Sequence, residues 1–198
     1  MAVSKTVPAD RLRAAVAAGL TVLGENRVQE ATAKIPEVPG ATWHLVDPLQ
    51  SNKARRAVEL FDVVQSVDSI ELAERLDRLA GELRPGRPLP VLVQVNVDRD
   101  PGKAGISPEA AATVASATTR LPNIDVRGLM TIGRLADTPA EARATFRGLR
   151  ELSESVRRGA RIGAELSMGM SDDFEIAVEE GATIVRIGRA IFGERPAG

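Results

Sequence analysis

Two hydrophobic periods take turns along this chain. Short apolar runs at residues 2–5, 21–24, 42–46, 62–66, 91–97, 125–132, 164–168 and 183–187 read as strands. The clearest is 91–97, where Val91, Val93, Val95 and Val97 fall on one face opposite Leu92, Gln94 and Asn96. Between the runs, helical spacing takes over. Residues 9–18, with Leu12 and Val16 four apart and Gly19 behind them, read as a helix, as do 25–34, 49–60, 69–83, 108–120, 139–158 and 172–180, while 188–192 opens a last short one. Helix 69–83 carries its stripe on Ile70, Leu72, Leu76, Leu79 and Leu83 and stops at Pro85-Gly86. Helix 108–120 is predicted to start from Ser107 as N-cap with Pro108 in its first turn.

A strand-then-helix unit repeated eight times predicts parallel pairing through crossovers, and eight is the count of a (β/α)8 TIM-type barrel. A doubly wound open sheet shares this periodicity and stays as the alternative, since periodicity does not show closure. Connections are short, and no linker, low-complexity tract or internal repeat divides the chain. The predicted fold class is therefore α/β, one barrel domain over residues 1–198.

Composition removes whole classes of function. With 43% hydrophobic and 27% charged residues and a net charge of -1, mixed in sign along the chain, nothing asks for nucleic acid or an anionic membrane. No cysteine is present, which excludes disulfides and thiolate chemistry, and a single histidine, His44, excludes multi-histidine metal sites. His44 precedes an apolar stretch in a predicted strand and is read as a hydrogen-bonded core residue rather than a catalytic one. No apolar run reaches transmembrane length and no signal-peptide pattern opens the chain, so a cytoplasmic location is expected.

Candidate chemistry collects at the two ends of the chain. Lys5 ends the first strand, where β/α folds keep their sites, and a shielded lysine there can act as an amine nucleophile; an exposed terminal lysine is the plainer reading of the same residue. Barrel enzymes often bind phosphate with the loops after strands seven and eight. Residues 167–171 (Ser-Met-Gly-Met-Ser) end strand seven, and Gly188 follows strand eight, where a backbone can approach a ligand closely. Asp172 and Asp173 suit the first turn of helix 172–180 as dipole partners. In a closed barrel, strand eight neighbours strand one. A lysine there can form a Schiff base to an aldehyde whose phosphate the two loops anchor, and pyridoxal 5'-phosphate (PLP) carries both groups. Arg186 is placed to face the ring nitrogen of such a cofactor, or to bridge to a structural carboxylate.

The motifs Ala2-Val3-Ser4-Lys5-Thr6, Gly24-Glu25-Asn26, Trp43-His44, Leu49-Gln50-Ser51-Asn52-Lys53, Lys103-Ala104-Gly105, Arg127-Gly128-Leu129-Met130, the run from Ser167 to Asp173 and Val185-Arg186-Ile187-Gly188 resemble, in order, the PLP homeostasis protein family. The resemblance runs from Ala2 to Gly193 and implies a barrel related to the N-terminal domain of alanine racemase, with PLP bound as a Schiff base on Lys5. It implies that Ser171 and the backbone around Gly188 and Arg189 hold the phosphate, with Ser167 in the same phosphate motif. Arg186 would face the pyridine nitrogen, Asn26 and Met130 would lie near the ring, and Lys53 and Lys103 at the pocket edge. The function implied is PLP and amino-acid homeostasis in a monomer, with apo-PLP enzymes as possible acceptors, and no nucleic-acid or membrane partner.

Chemistry narrows this further. A guanidinium has no acceptor and only donates, so Arg186 would leave the ring nitrogen unprotonated and the ring a poor electron sink. Racemisation needs a second base on the opposite face, supplied by tyrosine in the related two-domain enzymes, and this chain has no tyrosine. Holding the cofactor without robust turnover is the expectation; a weak racemase-like PLP enzyme and a cofactor-independent Schiff-base aldolase are the alternatives. The chain departs from the family pattern twice. The usual N-terminal helix and first half of strand one do not precede Ala2, and Asp47 stands where glycine is typical, expected to restrict its loop or pair with a pocket lysine.

Overall fold

The computed structural model describes residues 1–134 and 136–193, so residues 194–198 of the predicted domain lie outside the described residues. Eight strands form one sheet in the order of the chain: β1 Ala2–Val3, β2 Val22–Glu25, β3 Thr42–Leu45, β4 Val63–Val67, β5 Leu89–Gln94, β6 Ile124–Met130, β7 Glu165–Met170 and β8 Ile184–Arg186. Every adjacent pair is parallel. Closure comes from Ile187, which bridges Ala2, accepts a hydrogen bond from the Val3 amide at 2.8 Å and donates to the Met1 carbonyl at 3.0 Å. These bonds join the last strand to the first, and the open-sheet alternative falls: the fold is a (β/α)8 barrel.

The helices between the strands are α1 Ala9–Ala17, α2 Val28–Lys34, α3 Ala54–Leu60, α4 Ile70–Leu83, α5 Ala111–Thr118, α6 Pro139–Gly159, α7 Phe174–Glu179 and α8 Arg189–Phe192. Their apolar faces cover the sheet. In α4 the stripe Leu72, Leu76 and Leu79 is buried, and the Ser69 hydroxyl accepts from the Leu72 amide at 3.1 Å to cap it. Thr138 does the same for the longest helix, α6, accepting from the Glu141 amide at 3.3 Å with Pro139 in the first turn.

Of the boundaries that differ from the sequence reading, three have a clear tertiary reason. Glu25 was expected to open a helix, but it ends β2 with its side chain buried, because Ser4 and Lys34 satisfy its carboxylate there. The expected helix 49–60 is a 3-10 turn, Ser51–Lys53, followed by α3, since the chain after Pro48 arrives extended at Gln50. β5 stops at Gln94: the Val95 amide still donates to the Met130 carbonyl at 2.8 Å, but Val95 also bridges Ile106 of the loop that follows. Ser107 holds the N-cap position before a 3-10 turn, Pro108–Ala110, but makes no side-chain capping bond. No helix among the described residues is long and apolar enough to cross a membrane.

Candidate functional site

The C-terminal ends of the strands open onto a cleft of about 540 Å³ lined by Lys5, Asn26, Asp47, Ser171, Arg186 and Gly188, among others. Chain topology explains the gathering. In a parallel barrel every strand ends at the same face, and closure through Ile187 sets Lys5 beside Gly188 although most of the chain separates them.

The Lys5 wall rests on a charged cluster. Lys34, at the end of α2, donates 2.9 Å bonds to the Glu25 and Glu30 carboxylates and a 2.8 Å bond to the Ser4 carbonyl, which uses all three of its donors. Glu25 also accepts from the Ser4 hydroxyl at 2.8 Å and from the Asn26 amide at 2.9 Å. Glu30 accepts from the Thr6 amide at 3.1 Å. Burial works against the Glu30 charge, but Lys34 and the Thr6 amide hold its pKa below the ordinary carboxylate value. The residues on both sides of Lys5 are thus tied to one cation. Thr6 sits at φ 63°, a left-handed conformation that a β-branched residue adopts only under constraint.

The Arg186 wall is built without carboxylates. Arg186 is buried, donating to the Ser167 hydroxyl at 2.8 Å and to the Thr131 carbonyl at 2.7 Å. Among the described residues it has no ion-pair partner; burial lowers its pKa to about 10 against the opposing pull of Asp173 and Asp47. At that value the guanidinium remains charged at pH 7. A buried charge held only by neutral acceptors costs desolvation energy that a ligand at the cleft can offset.

Asn26, Ser171, Arg189 and Gly188 line the cleft as the sequence reading expected, while two other residues lie elsewhere. Met130 has no exposed surface and pairs in register with Ser167, one level beneath the opening; Ile132, two residues on, lines the cleft instead. Ser167 is also fully buried. It meets Arg186 and Gln65 in the barrel interior, beneath the cleft, four residues before Ser171. Gly188 has room for a Cβ, with its nearest neighbours, in Val3, at 3.6 and 3.8 Å, so packing alone does not demand glycine there. Gly169 differs: at φ 90° a Cβ would lie 2.5 Å from that of Ala177.

Asp173 precedes α7 and accepts from the Met170 amide at 2.6 Å, while Asp172 pairs with Arg189 at the cleft rim instead of lying on the helix. Asp47 faces the cleft and forms no ion pair with a lysine among the described residues, which leaves restriction of its loop as the remaining expectation. Lys53 lines a side chamber of about 510 Å³ that shares Asn26 and Asp47 with the main cleft. Lys103 stays in its turn, with its amide on the Asp100 carbonyl, and does not line the cleft. His44 is a buried core residue as read, with Gln65 at 2.7 Å from Nδ1. Glu25, Lys34, Gln65 and Thr131 are the contributors that sequence reasoning missed.

The family model described as alanine racemase, N-terminal domain, matches residues 1–196. A pyridoxal phosphate homeostasis protein of Pseudomonas aeruginosa is 46% identical over an alignment covering 100% of this chain and 85% of that protein. The chain belongs to the pyridoxal phosphate homeostasis protein family. PipY of Synechococcus elongatus, solved with PLP bound, superimposes with a TM-score of 0.89 at 47% identity, covering 98% of this chain and 91% of that one. Alanine racemase of Clostridium difficile shares the fold at a TM-score of 0.81 and 16% identity, over 96% of this chain and 49% of that one. Family membership and barrel thus agree, and the family's cofactor can be weighed against the cleft. Asn26 Oδ1 is buried without a hydrogen-bond partner, and Arg186 is a buried donor without a carboxylate, so the cleft offers both an acceptor and a cation to a polar ligand.

Proposed function

We propose that this protein holds PLP through a Schiff base on Lys5 and serves intracellular PLP and amino-acid homeostasis without robust turnover. When bound, the cofactor supplies an aldehyde that condenses with amines and a ring that withdraws electrons. Lys5 is the amine, and Ser171 with the backbone at Gly188 and Arg189 takes the phosphate. Arg186 donates to the ring nitrogen, and Asn26 lies beside the ring. The observation that carries this reading is Arg186, a buried guanidinium whose partners among the described residues are a hydroxyl and a carbonyl, on a cleft that Lys5 also lines. The PLP-bound PipY structure supports the same cofactor.

Turnover is left out for a chemical reason. An arginine at the ring nitrogen can only donate, which keeps that nitrogen unprotonated and weakens carbanion chemistry. The chain has no tyrosine to act as a second base, and of the two carboxylates that line the cleft, Asp47 and Asp172, the second is already paired with Arg189. Apo-PLP enzymes are the acceptors proposed for the carried cofactor.

Purified protein mixed with PLP is expected to show a visible absorption band that borohydride bleaches, with mass spectrometry placing one pyridoxyl group on Lys5. Lys5→Ala is expected to lose the band and the label. A label that survives in Lys5→Ala would put the anchor elsewhere. Sustained Lys5-dependent racemisation of alanine would replace the carrier reading with an enzymatic one.

A further inference from the structure

Behind Arg186 a line of hydrogen bonds crosses the inside of the barrel. Arg186 Nη1 donates to Ser167 Oγ at 2.8 Å, Ser167 Oγ donates to Gln65 Oε1 at 2.6 Å, and Gln65 Nε2 lies 2.7 Å from His44 Nδ1. The links come from β8, β7, β4 and β3, so one polar thread ties four strands. Ser167 and Gln65 have no exposed surface, and His44 is 7% exposed. Water therefore has little access to stand in for a missing partner.

The direction of the thread is forced from its charged end. A guanidinium can only donate, so Ser167 must accept from Arg186 and pass its own proton onward. Gln65 Oε1 takes that proton. The other end of the same amide is then a donor, and it meets Nδ1 of His44, which must carry no proton. Burial lowers the His44 pKa to about 4, which leaves the ring neutral at pH 7. Every member has one consistent role, and only Gln65 touches both the serine and the histidine.

We propose that Gln65 is a positioning residue: by fixing which way the Ser167 hydroxyl points, it keeps Arg186 aimed at the cleft. It acts through Ser167 and touches no ligand. The proposal builds on the reading of the cleft as a PLP site, but its geometry is checked without PLP.

The chain has a single histidine, so the imidazole signals of a 15N-labelled sample need no assignment. In the ligand-free protein at pH 7 the ring is expected to be neutral with its proton on Nε2. Gln65→Glu puts a carboxylate, which only accepts, against both neighbours; the His44 proton should move to Nδ1 while Ser167 still has its acceptor. The guanidinium signals of Arg186 should be resolved in wild type and in Gln65→Glu, and averaged by rotation in Gln65→Leu. A wild-type proton on Nδ1, or an Arg186 equally restricted in Gln65→Leu, would overturn the proposal whatever PLP does.

With PLP, Gln65→Leu and Ser167→Ala are each expected to weaken binding about tenfold, and the double variant no further, because both break the same connection. Gln65→Glu should bind as wild type does. Additive losses, or Gln65→Glu as weak as Gln65→Leu, would make Gln65 a packing residue. If Gln65→Leu fails to fold, Ser167→Ala and Gln65→Glu carry the test. Should wild type bind no PLP, the functional reading fails and the ligand-free spectra still decide the role of Gln65.

Discussion

The two walls of the cleft solve the same problem by opposite means. Lys5 must be held at the end of a two-residue strand, and the protein does it with ions: one lysine against two carboxylates, close behind the mouth. Arg186 must be held inside the barrel, and the protein does it with neutral groups: a hydroxyl, a carbonyl, an amide and an imidazole. The difference follows from what each wall leaves over. The Lys34 cluster pairs its one cation with two carboxylates and leaves Lys5 outside the network. The Arg186 thread leaves the guanidinium charge without an ion-pair partner among the described residues, available to whatever enters the cleft. Charges are spent on geometry at one wall and kept for recognition at the other.

The largest effect should come from cutting the ionic wall. Lys34→Met strands Glu25, which is fully buried, and breaking a buried pair from one side costs about 3–5 kcal/mol. Urea denaturation would measure it. Adding Glu25→Gln removes the stranded charge and should recover part of the loss. Arg186→Met is the matching cut on the neutral wall. It leaves only uncharged partners behind and should cost about 1–2 kcal/mol, with loss of PLP binding as its main consequence. Equal costs at the two walls would erase the distinction.

Acid should separate the walls in sequence. An unfolded chain protonates His44 below pH 6.5, whereas the folded protein resists until about 4. The stability tied to neutral His44 is therefore complete above pH 6.5 and lost as the pH falls to about 4. At about 1.4 kcal/mol per unit this amounts to about 3.5 kcal/mol. Glu30 has its pKa lowered, so its contribution is present above 4.5 and goes only as the pH drops through that depressed value. The neutral wall loosens first and the ionic wall later. Between pH 7 and 4 wild type should lose about 3.5 kcal/mol more stability than His44→Gln, which has no group to titrate there; parallel curves would show that His44 titrates as it does in the unfolded chain.

How much of this was legible in the sequence depends on the range of the contact. The barrel was, because each strand and helix carries its own period, and so were Lys5, Ser171, Arg186 and Gly188, which stand at strand ends or in the loops after them; Asn26 came from the family resemblance, because its stretch reads as a helix. The Met130 and Ile132 exchange shows the limit: the strand was recognised, but which residue of its end meets the cleft depends on how the strand leaves the barrel. Lys34 looks from sequence like an ordinary lysine in a helix's last turn, and nothing local names Glu25, in the preceding strand, as its partner. Gln65 did leave a signal. A glutamine inside the buried parallel strand Val63–Val67 must find partners there, and asking for them would have led toward Ser167 and His44.

The smallest expected change concerns the residue after Lys5. Thr6 is held at φ 63° while its amide bonds Glu30 and its hydroxyl bonds the Lys5 carbonyl at 2.6 Å. Glycine adopts this conformation without steric cost but is freer when unfolded, so Thr6→Gly should raise stability by no more than about 1 kcal/mol. The ionic wall predicts something else for function. If Glu30 and Lys34 keep the turn in place through the backbone amide, glycine retains that bond and Lys5 should be trapped by borohydride as fast as in wild type. If the threonine side chain itself braces the turn, trapping slows although the protein is no less stable. A slower reaction in a more stable protein would assign the bracing to the hydroxyl on the Lys5 carbonyl, and the ionic wall would then anchor the strand without aiming the lysine.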